Sequence, residues 1–509
     1  MSVHTLCAML AGLLAGCAMF PLSAAVPPRN AVDPAITAPI AKALDAVQRM
    51  PGSYPTVAAV VVQGDAPPWF HVRGPVRPGD AAPADARTLF YIASQTKSFM
   101  GLLGAVLDRR GVLPLDTTLA AVWPSLRLPA PADPRRITLA DLLSHEEGLT
   151  THTLNFVTAY VRDIPAADYP RWLESEVQVR DPGFRYANIG DLIYGAALEA
   201  HTGRNWHDWL NEAVLAPLQL QNEVTSRPSQ VVPARIVSNY QWDGHAWHPV
   251  APKSDALMHA AGGLFASANG MARWMQANLG LSDAGDALQP GDFARAQEPV
   301  ADARLSDGQI DCSGYSLGWY TCTYKGQHAL MHGGAYVGTV SMTVLVPSAR
   351  AGLSLVVNSD SAMEGFELEV MKAFIGLATG GEGEGARLDA AVSAFPARLA
   401  ALVTKRKKAL VESRADAAGA GSTWQPDAAA LQACTGRFHD DLFGTLWVRS
   451  GAEGLTADIG ARHLVLEPVR PGLFAAADGT LDVPEPMTCQ PEAGVLEWRG
   501  RRFRSQAGR

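Results

Sequence analysis

A glycine-rich segment at residues 380–385 separates two parts of this chain with different secondary-structure patterns. Before it, over about residues 31–378, helical patterns alternate with short β-type runs, beginning with the buried strand pattern at 57–62. After it, a helical stretch at 388–414 is followed, from Trp424 onward, by short β-type runs separated by glycine and Asp/Pro turns. The pattern predicts more than one domain, and the glycine-rich segment is expected to be a flexible, solvated joint.

Composition supports a globular, multidomain protein. A chain of 509 residues is long for one compact domain. Hydrophobic residues at 48% and charged residues at 18% supply ample core material, which disfavours wholesale disorder. The net charge of −8, without a concentrated basic run, argues against nucleic acid as a partner.

The β-type runs of the longer part lie near both of its ends. Runs at Thr339–Pro347 and Gly352–Asn358 complement the early run at 57–62, and helical patterns such as Lys97–Arg110 and Asp191–His201 lie between them. This order predicts an α/β or α+β body in which the terminal segments join one sheet.

The first 25 residues have the pattern of a secretory signal peptide. An apolar stretch runs through Phe20 and ends at the small residues Ser23-Ala24-Ala25, although no Lys or Arg precedes it. Within it, Leu14-Ala15-Gly16-Cys17 resembles a lipobox, in which Cys17 would be acylated. We expect export to the periplasm or the exterior, either as a soluble protein cut near Ala25 or as a lipoprotein that contacts a membrane only through Cys17.

The cysteines beyond this segment are Cys312, Cys322, Cys434 and Cys489. In an oxidising compartment an even number suggests disulfides, and four cysteines allow three pairings. We favour the local pairing of Cys312 with Cys322 and of Cys434 with Cys489. A zinc site is the alternative, but no Cys-x-x-Cys or Cys/His spacing fits ligands, so neither metal nor cofactor is predicted.

The stretch Ser94-Gln95-Thr96-Lys97 is the first candidate for chemistry. If Ser94 opens the following helix, Lys97 lies one turn away on the same face and can reach the serine hydroxyl. A serine is a weak nucleophile until a base accepts its proton, and a lysine can be that base when its surroundings lower its pKa. An ordinary helix cap with a solvated lysine has the same pattern.

Two further segments carry polar groups that could meet this pair. Tyr186 and Asn188 are two residues apart after a turn, so in extended chain they would face one site, where tyrosine could relay a proton and asparagine could bond a substrate amide. The glycines of His332-Gly333-Gly334 would let a substrate backbone approach a strand edge, with His332 adding a donor or partial positive charge. The alternatives are a core tyrosine and a glycine turn with a surface histidine.

In this order, the three segments resemble the motifs of the serine β-lactamase and penicillin-binding-protein superfamily, in particular its class C-like branch of peptidases and esterases. Ser94 and Lys97 match Ser-x-x-Lys, Tyr186 and Asn188 match Tyr-x-Asn, and residues 332–334 match the third motif, Lys/His-x-Gly. Segments that look like the branch's "G-x-L-x-LD", "DLLSH" and "GGL" are Gly111–Asp116, Ile137–His145 and Ala261–Leu264.

The resemblance implies catalytic roles. Ser94 would be the acylated nucleophile, and Lys97 and Tyr186 would share the general-base and leaving-group proton transfers. Asn188 would hold the substrate amide.

It also implies a substrate-binding strand. The backbone N–H groups of Ser94 and of a residue near Ala335, next to Gly334, would form the oxyanion hole, with electrostatic help from His332. β-Lactamases of this branch usually have Lys-Thr-Gly where this chain has residues 332–334, so the groups that bind an antibiotic carboxylate are reduced. Neutral or amine-terminated substrates are therefore favoured.

The fold that the family implies is an α/β (α+β) sandwich, an antiparallel sheet flanked by helices with a helical subdomain, over residues 34–378. Residues 379–423 would form a linker with a helix. The last segment, 424–509, resembles the lipocalin-like β domain that some of these hydrolases carry, because of its start at Ala433–Phe438 and its strand rhythm. It predicts a small up-and-down barrel.

Three functions remain open at this point. The first is a serine hydrolase of D-aminopeptidase, carboxypeptidase or esterase type, acting on a small-molecule, peptide or ester substrate. The second is a penicillin-binding protein or class C-like β-lactamase proper. The third is a catalytically silent envelope binding protein. The presence of Ser94, Lys97 and Tyr186 argues against this third function.

Overall fold

The computed structural model describes residues 30–77, 79–80, 82–282, 284–361, 365–418, 424–451, 454–478 and 483–506. The predicted signal segment, with Cys17 and the cleavage site near Ala25, lies outside these residues. Within the described ranges, no helix combines the length and the apolar character needed to cross a membrane.

Helices and strands are mixed as far as residue 378, and strands dominate from residue 436. The strands are β1 (Val57–Gln63), β2 (Trp69–Arg73), β3 (Leu89–Tyr91), β4 (Leu149–Thr150), β5 (Gln178–Val179), β6 (Val224–Thr225), β7 (Tyr240–Trp242), β8 (Trp247–Pro249), β9 (Phe265–Ser267), β10 (Leu305–Ser306), β11 (Ile310–Tyr315), β12 (Tyr320–Tyr324), β13 (Gln327–Tyr336), β14 (Thr339–Val346), β15 (Ala351–Val357), β16 (Gly436–Asp440), β17 (Gly444–Gly451), β18 (Gly454–Ile459), β19 (Arg462–Arg470), β20 (Leu473–Ala477), β21 (Glu485–Gln490), β22 (Val495–Trp498) and β23 (Arg501–Ser505). The helices are α1 (Pro34–Gln48), α2 (Thr96–Arg109), α3 (Leu119–Val122), α4 (Leu139–Leu143), α5 (His152–Phe156), α6 (Tyr169–Glu176), α7 (Asn188–Thr202), α8 (Trp206–Leu210), α9 (Ala268–Asn278), α10 (Pro290–Gln297), α11 (Phe366–Ala378), α12 (Glu384–Ala418) and α13 (Ala428–Gln432).

An antiparallel sheet with the strand order β10-β11-β12-β13-β14-β15-β1-β2 forms the middle layer of the larger domain. Strand β1 pairs with β15, which places Val57 opposite Val357 and Gln63 opposite Ala351. The early and late β-type runs of the sequence therefore lie side by side, as predicted. Every residue of β1 is buried, because the sheet is covered on both faces.

Helices cover both faces of this sheet. On one face, α1, α11 and the first half of α12 bury Ile40, Phe374 and Phe395 in a shared core. On the other face, α2 and α9 meet where the rings of Phe99 and Trp274 stack with centroids 3.7 Å apart. Helices α3–α8 form a helical subdomain between β3 and β9. The predicted sandwich is confirmed.

The glycine-rich segment is exposed at residues 380–383 and enters the core of the larger domain at Glu384. Glu384, the first residue of α12, is buried, accepts a hydrogen bond from Tyr324 at 3.2 Å and forms ion pairs with Lys325 and Arg387. The expectation of a solvated joint is wrong at this residue, because the packing of α12 on α1 and α11 carries the start of the helix into the core.

Strands β16–β23 close into an antiparallel barrel. Phe438 of β16 lies opposite Leu446 of β17 and also opposite Ser505 of β23, so the first and last strands meet. Alternate residues, such as Leu455 and Ala457 of β18, fill the interior. This confirms the predicted all-β terminal domain.

Each of the four cysteines beyond the predicted signal segment is in a disulfide. Cys312 is bonded to Cys322 between β11 and β12, and Cys434 is bonded to Cys489 of β21. The second bond ties the chain just before the barrel to one of the barrel strands.

Candidate active site

Ser94 lies in a short 3-10 turn, Ala93–Gln95, directly before α2. Ala93 has a φ of 48°, a left-handed conformation that few non-glycine residues adopt. Strand β14 holds the turn, because Ser341 Oγ donates to the Ile92 carbonyl at 2.8 Å. The serine is therefore presented on a constrained turn at the start of a helix.

Lys97 lies one turn after Ser94 and is 1% exposed. Its Nζ donates to Asn188 Oδ1 at 2.8 Å and to the Ala261 carbonyl at 2.7 Å, and it lies 3.4 Å from Ser94 Oγ. These contacts fix the amine beside the serine hydroxyl. The predicted Ser94 and Lys97 pair is thus brought together, with the amine buried and Ser94 partly exposed.

Tyr186 and Asn188 reach this pair from the start of α7. The Tyr186 ring centroid is 4.9 Å from Lys97 Nζ, and the residue is 37% exposed, so it lies at the solvent side of the site. Asn188 is the first residue of α7, whereas the sequence pattern predicted extended chain for both residues. Helix α7 approaches α4 closely because Gly190 has no Cβ, which would lie 2.2 Å from the Leu142 carbonyl oxygen.

His332 is a buried residue of β13. Its Nδ1 lies 2.7 Å from the Gly333 carbonyl and therefore carries the ring proton, so Nε2 accepts a hydrogen bond from Tyr315 at 3.1 Å. Burial, and then the charge of Lys97, lower the pKa of His332 to about 3. The expected partial positive charge is therefore absent at neutral pH, and both ring nitrogens bond within the protein.

Gly334 lets the Ser94 turn rest against β13. A Cβ at this position would lie 2.1 Å from the Ile92 carbonyl oxygen and 3.0 Å from the Ser94 nitrogen. We expected the paired glycines to admit a substrate backbone. At Gly334 the chain that comes close is instead the protein's own turn at Ile92 and Ser94.

Strand β13 also borders an open cavity next to Ser94. Its pairing with β12 ends at Met331, while its pairing with β14 continues to Tyr336, so in the described chain the last part of β13 has a strand neighbour on one side. Ser94, Tyr186 and Ala335 are among the residues that line a cavity of about 490 Å³ there. A substrate can therefore lie along this edge with its reactive carbonyl at Ser94.

A second cavity, of about 330 Å³, reaches Ser94 from the side of the barrel. Its wall includes Lys253 and Arg499, which the sequence patterns did not single out. Lys253 Nζ donates to the Ala159 carbonyl at 2.9 Å, and burial lowers its pKa to about 7. Arg499 comes from the turn between β22 and β23, and its guanidinium carbon Cζ lies 3.4 Å from the ring centroid of Phe156. Neither residue stands in a motif, so their place became visible only with the fold.

Asp191 is a further buried group that sequence reasoning missed. Its Oδ2 lies 4.0 Å from Lys97 Nζ. Burial raises the pKa of Asp191 to about 7, against the opposing effect of the Lys97 charge. The helical spacing from Asn188 was the available signal, because residues three apart share a helix face.

In the part of the chain that the structure describes, no three His, Cys, Asp or Glu side chains come together in a way that could hold a metal ion. The groups around Ser94 are a buried amine, a phenol, a carboxamide and backbone N–H groups. Such a set can activate a hydroxyl and bind a carbonyl oxygen.

Comparison with known proteins gives the family. The family model described as Beta-lactamase matches residues 42–375. The chain belongs to the beta-lactamase family. The matched range contains Ser94, Lys97, Tyr186, Asn188 and His332 and ends before the barrel.

Curated relatives are distant. The chain is 26% identical over 275 residues to the unguisins hydrolase ungD' of Aspergillus campestris, which covers 51% of each chain. It is 25% identical over 339 residues to penicillin-binding protein 4 of Amycolatopsis lactamdurans, which covers 64% of this chain and 85% of the relative. This chain thus spans about half the length of the first relative and most of the second.

A solved structure with the same fold is that of the D-amino acid amidase from Ochrobactrum anthropi SV3, complexed with L-phenylalanine amide. The match has a TM-score of 0.55 and 20% sequence identity, and it covers 68% of this chain and 98% of the amidase. At this identity the similarity shows a shared fold.

Proposed function

We propose that this protein is a serine hydrolase that cleaves amide or ester bonds through an acyl-enzyme on Ser94. The observation that carries the proposal is the 3.4 Å approach of Lys97 Nζ to Ser94 Oγ in a site where the lysine is buried. Asn188 and Ala261 hold the amine in place, as a base beside a nucleophile requires.

In the proposed reaction, Ser94 Oγ attacks the substrate carbonyl carbon while Lys97, with Tyr186, accepts the hydroxyl proton. The negative charge on the carbonyl oxygen is met by the backbone N–H groups of Ser94 and Ala335. The proton then passes to the leaving amine or alcohol, which departs. Water hydrolyses the acyl-enzyme by the reverse proton transfers.

The substrate proposed is neutral or amine-terminated, such as a D-amino acid amide, a short peptide or a short ester. His332 supports this choice, because a neutral imidazole with both nitrogens bonded in the protein offers no cation to a substrate carboxylate. The shared fold with a D-amino acid amidase is compatible with the same class.

The main alternative is a penicillin-binding protein or class C-like β-lactamase. The relative named penicillin-binding protein 4 favours it. The sequence at residues 332–334 speaks against it, because the ammonium and hydroxyl that bind an antibiotic carboxylate are replaced by histidine and glycine. A silent binding protein is the remaining alternative.

Export belongs to the same proposal. The apolar segment before Val26 and the two disulfides, Cys312–Cys322 and Cys434–Cys489, support export to an oxidising compartment. The mature protein then begins at Val26, or at an acylated Cys17 if the lipobox is used. Intact mass of the protein recovered from the cell envelope tests this, and a chain that keeps Met1 contradicts it.

The deciding experiment compares the protein and its Ser94→Ala variant on D-phenylalanine amide, L-phenylalanine amide, p-nitrophenyl acetate and benzylpenicillin. We expect turnover of an amide or the ester that is lost in Ser94→Ala, with little or no turnover of penicillin. Penicillin as the best substrate would favour the alternative enzyme. No turnover of any of the four would favour the binding protein.

A further inference from the structure

Asp191 and Lys97 form a buried pair of opposite charge beside the nucleophile. Asp191 lies on α7, three residues after Asn188, and its Oδ2 is 4.0 Å from Lys97 Nζ. Both side chains are 1% exposed. Opposite charges at this separation interact much more strongly in a buried site than at the surface.

The carboxylate acts on Lys97 through charge. Oδ2 of Asp191 is buried and has no hydrogen-bond partner among the described residues. The three hydrogens of a lysine ammonium already have acceptors in Ser94, Asn188 and Ala261. An unpaired buried carboxylate oxygen is costly, and the nearby ammonium offsets that cost.

We propose that Asp191 is a positioning residue that holds Lys97 in place and stabilises the positive charge that Lys97 gains when it accepts the Ser94 proton. This inference rests on the proposed function. Lys97 first releases its ammonium proton to solvent. In the acylation step the Ser94 O–H bond then breaks, an N–H bond forms on the neutral Lys97 amine, and Ser94 Oγ bonds to the carbonyl carbon while the carbonyl π electrons move to oxygen. Above about pH 7 Asp191 is ionised, and it takes no proton from Ser94 or Lys97 during the step, which is the role that the aspartate has beside histidine in Ser-His-Asp sites.

Other charged and titratable groups surround this pair from several elements. Burial, as the largest cause, lowers the pKa of each of the nearby histidines, so they are neutral at neutral pH. Burial raises the pKa of Glu147, which faces Asp191, to about 8. Asp191 is thus the carboxyl group that meets Lys97 directly in the described structure. The groups around the pair are His145, Glu147, Arg180, Tyr186, His259, Tyr315 and His332.

The first test is the pH profile of kcat/KM for p-nitrophenyl acetate with Asp191→Asn, which keeps the shape and removes the charge. A negative charge near a base raises the pKa of that base. We therefore expect the acid limb to move down by about one pH unit or more, and the plateau to fall about tenfold or more. A lower plateau with an unmoved limb would mean a purely structural role and would overturn the proposal.

Asp292→Asn is the matched control. Asp292 is equally buried and forms an ion pair with Arg109. Arg109 is the last residue of α2 and lies about 20 Å from Lys97 along that helix. This variant should leave the limb where it is in the unchanged protein. A shift of equal size in Asp292→Asn would also overturn the proposal.

A second test does not depend on activity. Urea unfolding of Asp191→Asn, Lys97→Met and the double variant forms a double-mutant cycle at pH about 8 and about 5. We expect coupling at the higher pH that shrinks at the lower, because burial raises the pKa of Asp191 to about 7. An Asp191→Asn chain that folds only when Lys97→Met is added supports the pairing, and additive effects at both pH values overturn it. If the unchanged protein lacks hydrolase activity, the proposed function fails while this cycle still decides whether the pair exists.

Discussion

The hydroxyl group of Tyr315 lies 3.1 Å from Nε2 of His332 and fixes the imidazole on the strand beside Ser94. The other ring nitrogen of His332 lies 2.7 Å from the Gly333 carbonyl. With both nitrogens occupied and the ring buried, His332 forms a neutral wall of the site. The third motif of this chain therefore shapes the site without adding a charge.

The first prediction concerns this neutral ring. His332→Gln should keep kcat/KM for p-nitrophenyl acetate within about tenfold and leave its pH dependence unchanged between about pH 5 and 8. The reason is that the pKa of His332, lowered to about 3, lies below that range. Steady-state rates across the pH range check this. Loss of a limb near pH 6.5 in the variant would mean that His332 titrates during catalysis.

The second prediction separates the two glycines of β13. Gly334→Ala should slow acylation about a hundredfold or more and lower the free energy of unfolding by about 1–3 kcal/mol. Its Cβ would meet the Ile92 carbonyl oxygen at 2.1 Å and displace the Ser94 turn.

Gly333→Ala is the control for that change. The nearest atom to its Cβ would be Met342 Cε at 3.4 Å, the end of a flexible side chain, so activity and stability should be nearly unchanged. Equal effects of the two substitutions, measured by stopped-flow acylation and urea unfolding, would contradict the assigned role of Gly334.

The third prediction concerns the barrel. Arg499 lines the cavity that leads to Ser94 from the barrel side, whereas Arg449 lies on β17 and pairs with Asp458. Arg499→Ala should change kcat/KM for tripeptide amides by about threefold or more, while p-nitrophenyl acetate, which needs little of the cavity, changes by less than about twofold. Arg449→Ala should affect neither substrate. A uniform effect of Arg499→Ala on both would show that the barrel does not select substrates by length.

The fourth prediction concerns pH and stability. Burial, opposed by Arg180, raises the folded-state pKa of Glu147 from 4.5 to about 8. The stabilising contribution of protonated Glu147 is thus fully present below its unfolded-state pKa of 4.5 and is lost as the pH rises through about 8. Relative to Glu147→Gln, the unchanged protein should become less stable between pH about 5 and 8, as measured by urea unfolding. Glu298→Gln, at an exposed position, should show no such trend, and a parallel trend in both variants would count against the assignment.

Much of the fold followed from local pattern. The run at 57–62 is apolar on both faces because helices cover both sides of the sheet, and a buried strand of this kind is recognisable from sequence. The runs after Trp424 alternate between apolar and polar residues, because only one face of each barrel strand is buried. That alternation predicted the barrel. The burial of Glu384 could not be read locally, because it depends on how α12 packs against α1 and α11.

The site was predictable where residues stand in motifs. The three-residue spacing at the start of a helix predicted that Lys97 lies beside Ser94, and the ordered motifs predicted that Tyr186 and Asn188 would join them. The charge state of His332 depends on burial and on its distance from Lys97, which no local pattern carries. Arg499 reaches the site from another domain, more than four hundred residues along the chain, so only the tertiary structure could show it.

The most direct test of the central claim is intact-protein mass spectrometry after brief exposure to p-nitrophenyl acetate, with Ser94→Ala treated in parallel. The account predicts a transient gain of about 42 Da, one acetyl group on Ser94, in the unchanged protein and none in the variant. Peptide mapping should place the acetyl group on Ser94. An adduct of the same size in Ser94→Ala, or no adduct in either protein under conditions of measurable turnover, would contradict nucleophilic catalysis by Ser94.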